Sequence, residues 1–315
     1  MTYYIITNMS NKIKTKKSND YNNELQNVFN LMSINGKYNI VGSASLKSIY
    51  YSSDYDLNEK DKIKGSDGFT QVYNIFKKKF EMAKQNPNIY ITDFKNGVDN
   101  KNEPIRWSYD DIMNKKDEFI KALKQKSMIK LDIIYLLNDV FVEISEVYFL
   151  DIDHHKTYDD KELDLENLKK QLIESMKECI QDGLYFKALK RLFSICNIEN
   201  IPVSHLVDFF NGQYGILYKA NSDLNILMTL IQNQFRTPSR DEIKNNLQII
   251  KQTLSIQEKT KKDISTIIDD ICKVKKLDQM YIYIEKLSTY ISRIFNREAK
   301  IVFESYYDKL KTRII

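Results

Sequence analysis

Two aspartates, Asp54 and Asp56, follow a Gly42-Ser43 step after ten intervening residues. Ile40-Val41 before the glycine reads as a buried strand, the residues after Ser43 as a short helix to about Tyr50, and Asp54–Leu57 as a second strand. Side chains alternate along a strand, so residues two apart project to the same side. Asp54 and Asp56 therefore aim together toward the Gly42-Ser43 turn. Glycine lets a phosphate approach the backbone, and amides at a helix start with the Ser43 hydroxyl can hold an anionic oxygen. Lys47, one helical turn further on, could face the same phosphate. Paired carboxylates beside an anion cradle suit divalent metals and a nucleoside triphosphate. The plainer reading makes Ser43 a helix cap at an ordinary turn. Against it, two like charges on one strand face are disfavoured unless cations compensate them.

A third carboxylate would complete a two-metal site. Asp132 lies in Lys130-Leu131-Asp132-Ile133-Ile134, a polar residue among apolar ones. Asp93 ends Ile91-Thr92-Asp93-Phe94, and Glu143 lies in Val142-Glu143-Ile144. The residues alone leave all three open.

These side chains need elements to hold them. The pattern predicts helices over Tyr21–Met32 and Phe69–Gln85, a strand over Asn88–Phe94, and a helix over Tyr109–Lys124. Two strands, Met128–Leu137 and Val140–Leu150, read as a hairpin around Asn138-Asp139. Asp151–Lys161 is charged and reads as a linker. After it the pattern is helical: Asp164–Gln181, Tyr185–Cys196, Val203–Phe210, Asn221–Gln234, Asp241–Gln252, Lys262–Val274 and Asp278–Phe295. The expected division is an α/β domain over 1–155 and a helical domain over 156–315. A basic arm at Lys12–Lys17 precedes the first domain, and a segment near 97–127, holding the chain's one Trp at Trp107, is inserted into it.

Composition narrows the classes. Hydrophobic residues make 42% and charged residues 29% of 315 residues, as in a globular protein without long apolar runs. No secretory signal and no membrane partner are expected. Cys179, Cys196 and Cys272 have neither zinc nor disulfide spacing, which suits a reducing compartment. His154-His155 lacks spaced partners and reads as loop. The net charge of +5 is compatible with a polyanion partner.

The Gly42-Ser43 step, the Asp54-Tyr55-Asp56-Leu57 strand and a later apolar-Asp-apolar strand resemble the nucleotidyltransferase superfamily of DNA polymerase β and poly(A) polymerases. The resemblance covers roughly residues 35–150. It implies an α+β fold, with an N-terminal nucleotidyltransferase palm (a mixed sheet with flanking helices) followed by an all-helical domain. In that family a helix and a strand separate the Asp pair from the strand bearing the third Asp. Phe69–Gln85, Ile89–Phe94 and Lys130–Leu136 fill those places, so the third Asp maps onto Asp132 rather than Asp93 or Glu143. The resemblance then implies that Asp54, Asp56 and Asp132 bind two Mg²⁺ (or Mn²⁺) ions and act in catalysis. Gly42 and Ser43 would hold the triphosphate of ATP or another NTP.

Poly(A)-polymerase-like members also carry a helical domain whose first helices supply Lys, Asn and Tyr to the nucleotide. Tyr185–Phe193 looks similar, with Lys187, Lys190 and Arg191 within about one turn. Those three read either as triphosphate or RNA contacts, or as a solvated basic face. Phe209–Gly215 reads as a packed helix connection, with a base pocket as its alternative. The implied function is template-independent, poly(A)-polymerase-like addition of nucleoside monophosphates to an RNA 3′ end. The alternatives are a protein or small-molecule acceptor, or a non-catalytic RNA-binding or structural member. The resemblance to viral poly(A) polymerases allows a homodimer. The AT-rich coding bias in Asn, Ile, Lys and Tyr suits a large DNA virus, and the expected location is cytoplasmic.

Overall fold

The computed structural model describes residues 38–41, 55–59, 67–92, 94–125, 128–137, 140–149 and 165–314. The predicted helix over Tyr21–Met32, the Lys12–Lys17 arm, Gly42, Ser43, Lys47, Asp54, Asp93 and His154-His155 lie outside them.

The chain divides into two compact units. The first is built on a five-stranded sheet in the order β1-β2-β7-β6-β3. Its strands are β1 Tyr38–Val41, β2 Tyr55–Glu59, β3 Ile89–Ile91, β6 Met128–Leu137 and β7 Val140–Phe149. β2 and β7 run parallel and the other pairings are antiparallel, so the sheet is mixed. The predicted hairpin at 128–150 is present as β6 and β7.

One face of this sheet carries the core. Ile129, Leu131, Ile133 and Tyr135 alternate along β6 and are buried, as are Val142 and Ile144 on β7. Helix α1, Gly68–Gln85, packs into this cluster through Val72, Tyr73, Phe76 and Phe80, which recur at helical spacing.

The inserted segment belongs to the same core. It contains a two-stranded sheet, β4 Phe94–Val98 with β5 Pro104–Trp107, and two short helices, α2 Tyr109–Asn114 and α3 Lys116–Leu123. The single helix predicted over Tyr109–Lys124 is interrupted at Lys115, where φ is −120° and ψ 48°. A capping box between Ser108 and Asp111 starts α2. Trp107 is buried, donates its indole N–H to the Asn96 carbonyl at 2.8 Å and meets Phe119 edge-on. Gly97, at φ +75°, lets β4 approach α3, because a Cβ there would stand 2.9 Å from that of Ala122.

Residues 226–243 also cluster with the first unit. Asn233 donates to the Ile91 carbonyl at 2.5 Å, and Phe235 stacks on Phe80 with centroids 4.9 Å apart. The Arg236 guanidinium lies 3.9 Å from the Tyr90 ring centroid and donates to Glu242 and to the Pro87 carbonyl.

Among the described residues the second unit is all-helical. In chain order the helices of this half are α4 Leu165–Gln181, α5 Tyr185–Ile198, α6 Ser204–Asn211, α7 Gln213–Ile231, α8 Arg240–Thr253, α9 Glu258–Lys273 and α10 Leu277–Ile314. The last is 38 residues long. The stretch Phe209–Gly215 is a packed connection: Phe209 stacks on Tyr214, and both Phe209 and Phe210 contact Phe186. A Cβ on Gly215 would fall 1.7 Å from the Phe210 carbonyl oxygen, so the α6–α7 junction requires glycine. Among the described residues no helix is long and apolar enough to cross a membrane.

Candidate functional site

The strand registers place four positions in one row across the sheet. Val41 on β1 pairs with Asp56 on β2, Asp56 with Ser145 on β7, and Ser145 with Asp132 on β6. Neighbouring strands lie about 4.8 Å apart, so the Asp56 and Asp132 backbones stand about 10 Å from each other with one strand between them. β1 ends at Val41, directly before Gly42, and β2 begins at Tyr55, directly after Asp54. The Gly42-Ser43 step and the Asp pair therefore adjoin, along the chain, the rung that carries Asp132.

Asp132 stands in the middle of β6. It shares its sheet face with Lys130, opposite to the core-facing Leu131 and Ile133. Its side chain is 49% exposed. The Ser145 hydroxyl donates to Asp132 Oδ1 at 2.6 Å, and Lys130 Nζ lies 3.2 Å from the same oxygen. Among the described residues no contact uses Oδ2. The backbone holds the strand as well: the amide and the hydroxyl of Thr92 both donate to the Asp132 carbonyl at 3.2 Å.

Glu143 is half-buried and pairs with Ile134, one rung of the same face away from Asp132. Glu146, on the other face, is fully buried and bound to Lys79 of α1. It ties the helix to β7, the strand between Asp56 and Asp132. Ser145 itself escaped the sequence reading. Its only signal is a small polar residue inside a strand of apolar alternation, which also fits a tolerated core hydroxyl.

Hard carboxylate oxygens suit Mg²⁺ or Mn²⁺. Asp132 fits such a role, being half exposed with one oxygen already oriented and the other without a partner among the described residues. Among those residues, no three His, Cys, Asp or Glu side chains gather into a metal cluster.

Lys187, Lys190 and Arg191 lie on α5 in the second unit. Lys187 is exposed. Lys190 sits 5.2 Å from the Tyr218 ring centroid, and Arg191 Nε donates to Ser175 Oγ at 3.3 Å. Two of the three cations thus have packing partners within their own unit.

No family model matches the chain. Over 160 residues it is 27% identical to uncharacterized protein V21 of Sputnik virophage, a match spanning 43% of this chain and 36% of that protein's length. Among solved structures, the Mg662 protein of M. chilensis complexed with GTP superposes with a TM-score of 0.62 at 15% identity, over 87% of this chain and 88% of that one. A nucleotidyl transferase encoded by a Megaviridae ORFan gene superposes with a TM-score of 0.63 at 15% identity, over 90% and 89% of the two chains. Likeness at this identity is a likeness of fold. The chain has the nucleotidyltransferase fold, a mixed α/β region followed by an all-helical one. Neither solved structure is described as a poly(A) polymerase.

Proposed function

We propose that this protein is a metal-dependent, template-independent RNA nucleotidyltransferase, poly(A)-polymerase-like, that adds nucleoside monophosphates from an NTP to an RNA 3′ end. The observation that carries the reading is the row Val41–Asp56–Ser145–Asp132 in a chain with the nucleotidyltransferase fold. The GTP in one structural neighbour supports a nucleoside triphosphate as the donor. In this reading residues 1–155 are the catalytic domain and 156–315 a helical domain, from which 226–243 pack back on the first. The protein acts in the cytoplasm.

Asp54, Asp56 and Asp132 would hold the Mg²⁺ (or Mn²⁺) ions through hard carboxylate oxygens. When bound, the ions supply neutralisation of the triphosphate charge and make the acceptor hydroxyl more acidic. Gly42, Ser43 and the adjacent amides bind the β- and γ-phosphates, with Lys47 adding positive charge. The 3′ oxygen of the RNA forms a bond to the α-phosphorus while the bond from that phosphorus to the bridging oxygen breaks. Pyrophosphate leaves, and the proton of the 3′-hydroxyl passes to the Asp132 carboxylate. Ser145 and Lys130 hold Asp132 for that role. Rate enhancement comes from positioning and charge neutralisation. On α5, exposed Lys187 is assigned to an RNA phosphate. Lys190 and Arg191, with partners inside their unit, add positive potential.

The test is extension of a labelled short RNA with each NTP separately and Mg²⁺ or Mn²⁺, comparing wild type with Asp54→Ala/Asp56→Ala and with Asp132→Ala. Ladders from wild type that vanish in the variants are expected, and the productive NTP gives the base preference. Nucleotide binding without extension would move the acceptor to a protein or small molecule. Absence of both nucleotide and metal binding would remove the catalytic reading.

A further inference from the structure

We infer that the exposed face of α10 is a track for single-stranded RNA, lined by Tyr283, Lys286, Tyr290, Arg293 and Arg297. The inference rests on the RNA acceptor proposed above and names the surface that would hold it.

The spacing of these residues is three, four, three and four, so they form one stripe along a helix. It extends about 21 Å at 1.5 Å per residue. The opposite face, with Met280, Ile284, Leu287, Ile291, Phe295 and Ala299, is buried in the second unit. The two tyrosines are exposed, at 47% and 37%. Exposed aromatic rings offer a stacking surface that every base can use, and interleaved cations follow the backbone between bases. Lys286 Nζ already lies 5.3 Å from the Tyr283 ring centroid. Lys300 borders the stripe and extends it to α5, with its Nζ 5.3 Å from the Tyr185 ring centroid.

Charge selects the occupant. From Tyr283 to Arg297 the stripe holds three cations and no carboxylate. Among the described residues neither Lys286 nor Arg293 pairs with an acidic side chain, and Arg297 pairs with its neighbour Glu298 at the solvent surface. A second copy of this helix laid on the stripe would set cation against cation, which disfavours a symmetric dimer through this face. A polyanion with unstacked bases satisfies both halves of the pattern. Duplex RNA hides its bases and would use the cations alone.

The experiment measures binding of the full chain to fluorescein-labelled 15-mer poly(U) by anisotropy, between about 50 and 200 mM salt. Variants are Lys286→Glu/Arg293→Glu/Arg297→Glu and Tyr283→Ala/Tyr290→Ala. The charge reversal is expected to reduce the salt slope by about 2 log units of affinity per log unit of salt, from three lost single-strand phosphate contacts. The tyrosine pair is expected to weaken binding about tenfold or more, with duplex RNA less affected. Thermal stabilisation by NTP with Mg²⁺ should persist in both variants, which shows that they fold and that the catalytic unit is intact. Unchanged poly(U) binding by both variants, with wild type binding and extending RNA, would overturn the track and leave the proposed function standing. A wild type that neither binds nor extends RNA would overturn both. A wild-type dimer by sedimentation that the variants dissociate would assign the stripe to self-association and overturn the track.

Discussion

The hydroxyl of Ser145 donates to Asp132 Oδ1 at 2.6 Å, and Ser145 is also the residue that pairs in register with Asp56. One buried serine thus stands on the strand between two carboxylate positions and orients one of them. A hydrogen bond to the charged form holds Asp132 in one rotamer and leaves its second oxygen for a ligand.

Ser145→Ala removes that bond and leaves the strand intact. A residue that orients a metal ligand costs about 10–100-fold in metal affinity or activity when mutated. The expectation is a fall of that size in extension rate, with a raised Mg²⁺ requirement and little change in melting temperature. Ser145→Thr restores a hydroxyl and should recover part of the loss. Equal rates for wild type and Ser145→Ala at limiting Mg²⁺ would show that Asp132 needs no such partner.

Lys79 and Glu146 form an ion pair with side chains 11% and 0% exposed. Removing one partner of a buried pair takes away that compensation of the other charge, at about 3–5 kcal/mol. Lys79→Met is therefore expected to lower unfolding free energy by that order in urea titrations. Lys79→Met/Glu146→Met should recover much of it, because replacing both charges with apolar groups is often neutral. If the double variant is as unstable as the single one, the pair is not the source of the loss.

Much of the first unit is legible in the sequence because its strands and α1 carry strong periodicity. The 128–150 hairpin and the Phe69–Gln85 helix emerge within a residue of their observed ends. The residues alone leave Asp93, Asp132 and Glu143 open as the third carboxylate, and only the order of elements in the resembled family points to Asp132. The row joining it to Asp56 through Ser145 was not legible, because register across non-consecutive strands leaves no local pattern. The return of residues 226–243 to the first unit has the same character: no local pattern around Phe235 and Arg236 points to Phe80 and Tyr90, which they meet in the fold. The sequence pattern ends helix α10 at Phe295, yet Ala299, Phe303, Leu310 and Ile314 continue its buried stripe to Ile314. Polar and charged residues separate these apolar positions and dilute the helical pattern.

Cys196 is buried, and loss of solvation pushes its thiol up to about 11, against a smaller lowering effect of Arg313. At pH 8 about one thiol in a thousand would be ionised. Native protein treated with iodoacetamide at that pH should therefore keep Cys196 unmodified, while urea-unfolded protein is alkylated there. Peptide mass spectrometry reads both. Rapid native modification of Cys196 would mean that the second unit opens around α5 on the labelling timescale.

Glu242 anchors the segment that returns to the first unit. Burial raises its pKa, but this is outweighed by the Ser239 amide, the Ser239 hydroxyl and Arg236, so the carboxyl lies below its usual range. Tyr90 also donates its hydroxyl to Glu242 at 3.3 Å. A lowered folded pKa means that the unfolded state binds more protons in the interval between the two values. The stabilisation is therefore complete above the ordinary glutamate pKa of about 4.3 and is lost as pH falls through the lower folded value. Glu242→Gln, which cannot be protonated in that interval, should melt lower than wild type at pH 7. It should also lose less melting temperature on acidification from about pH 5 to 3, so that the two curves converge. Parallel curves across that range would show that Glu242 takes up no extra proton on unfolding, and that the Arg236–Tyr90 stack holds the segment without it.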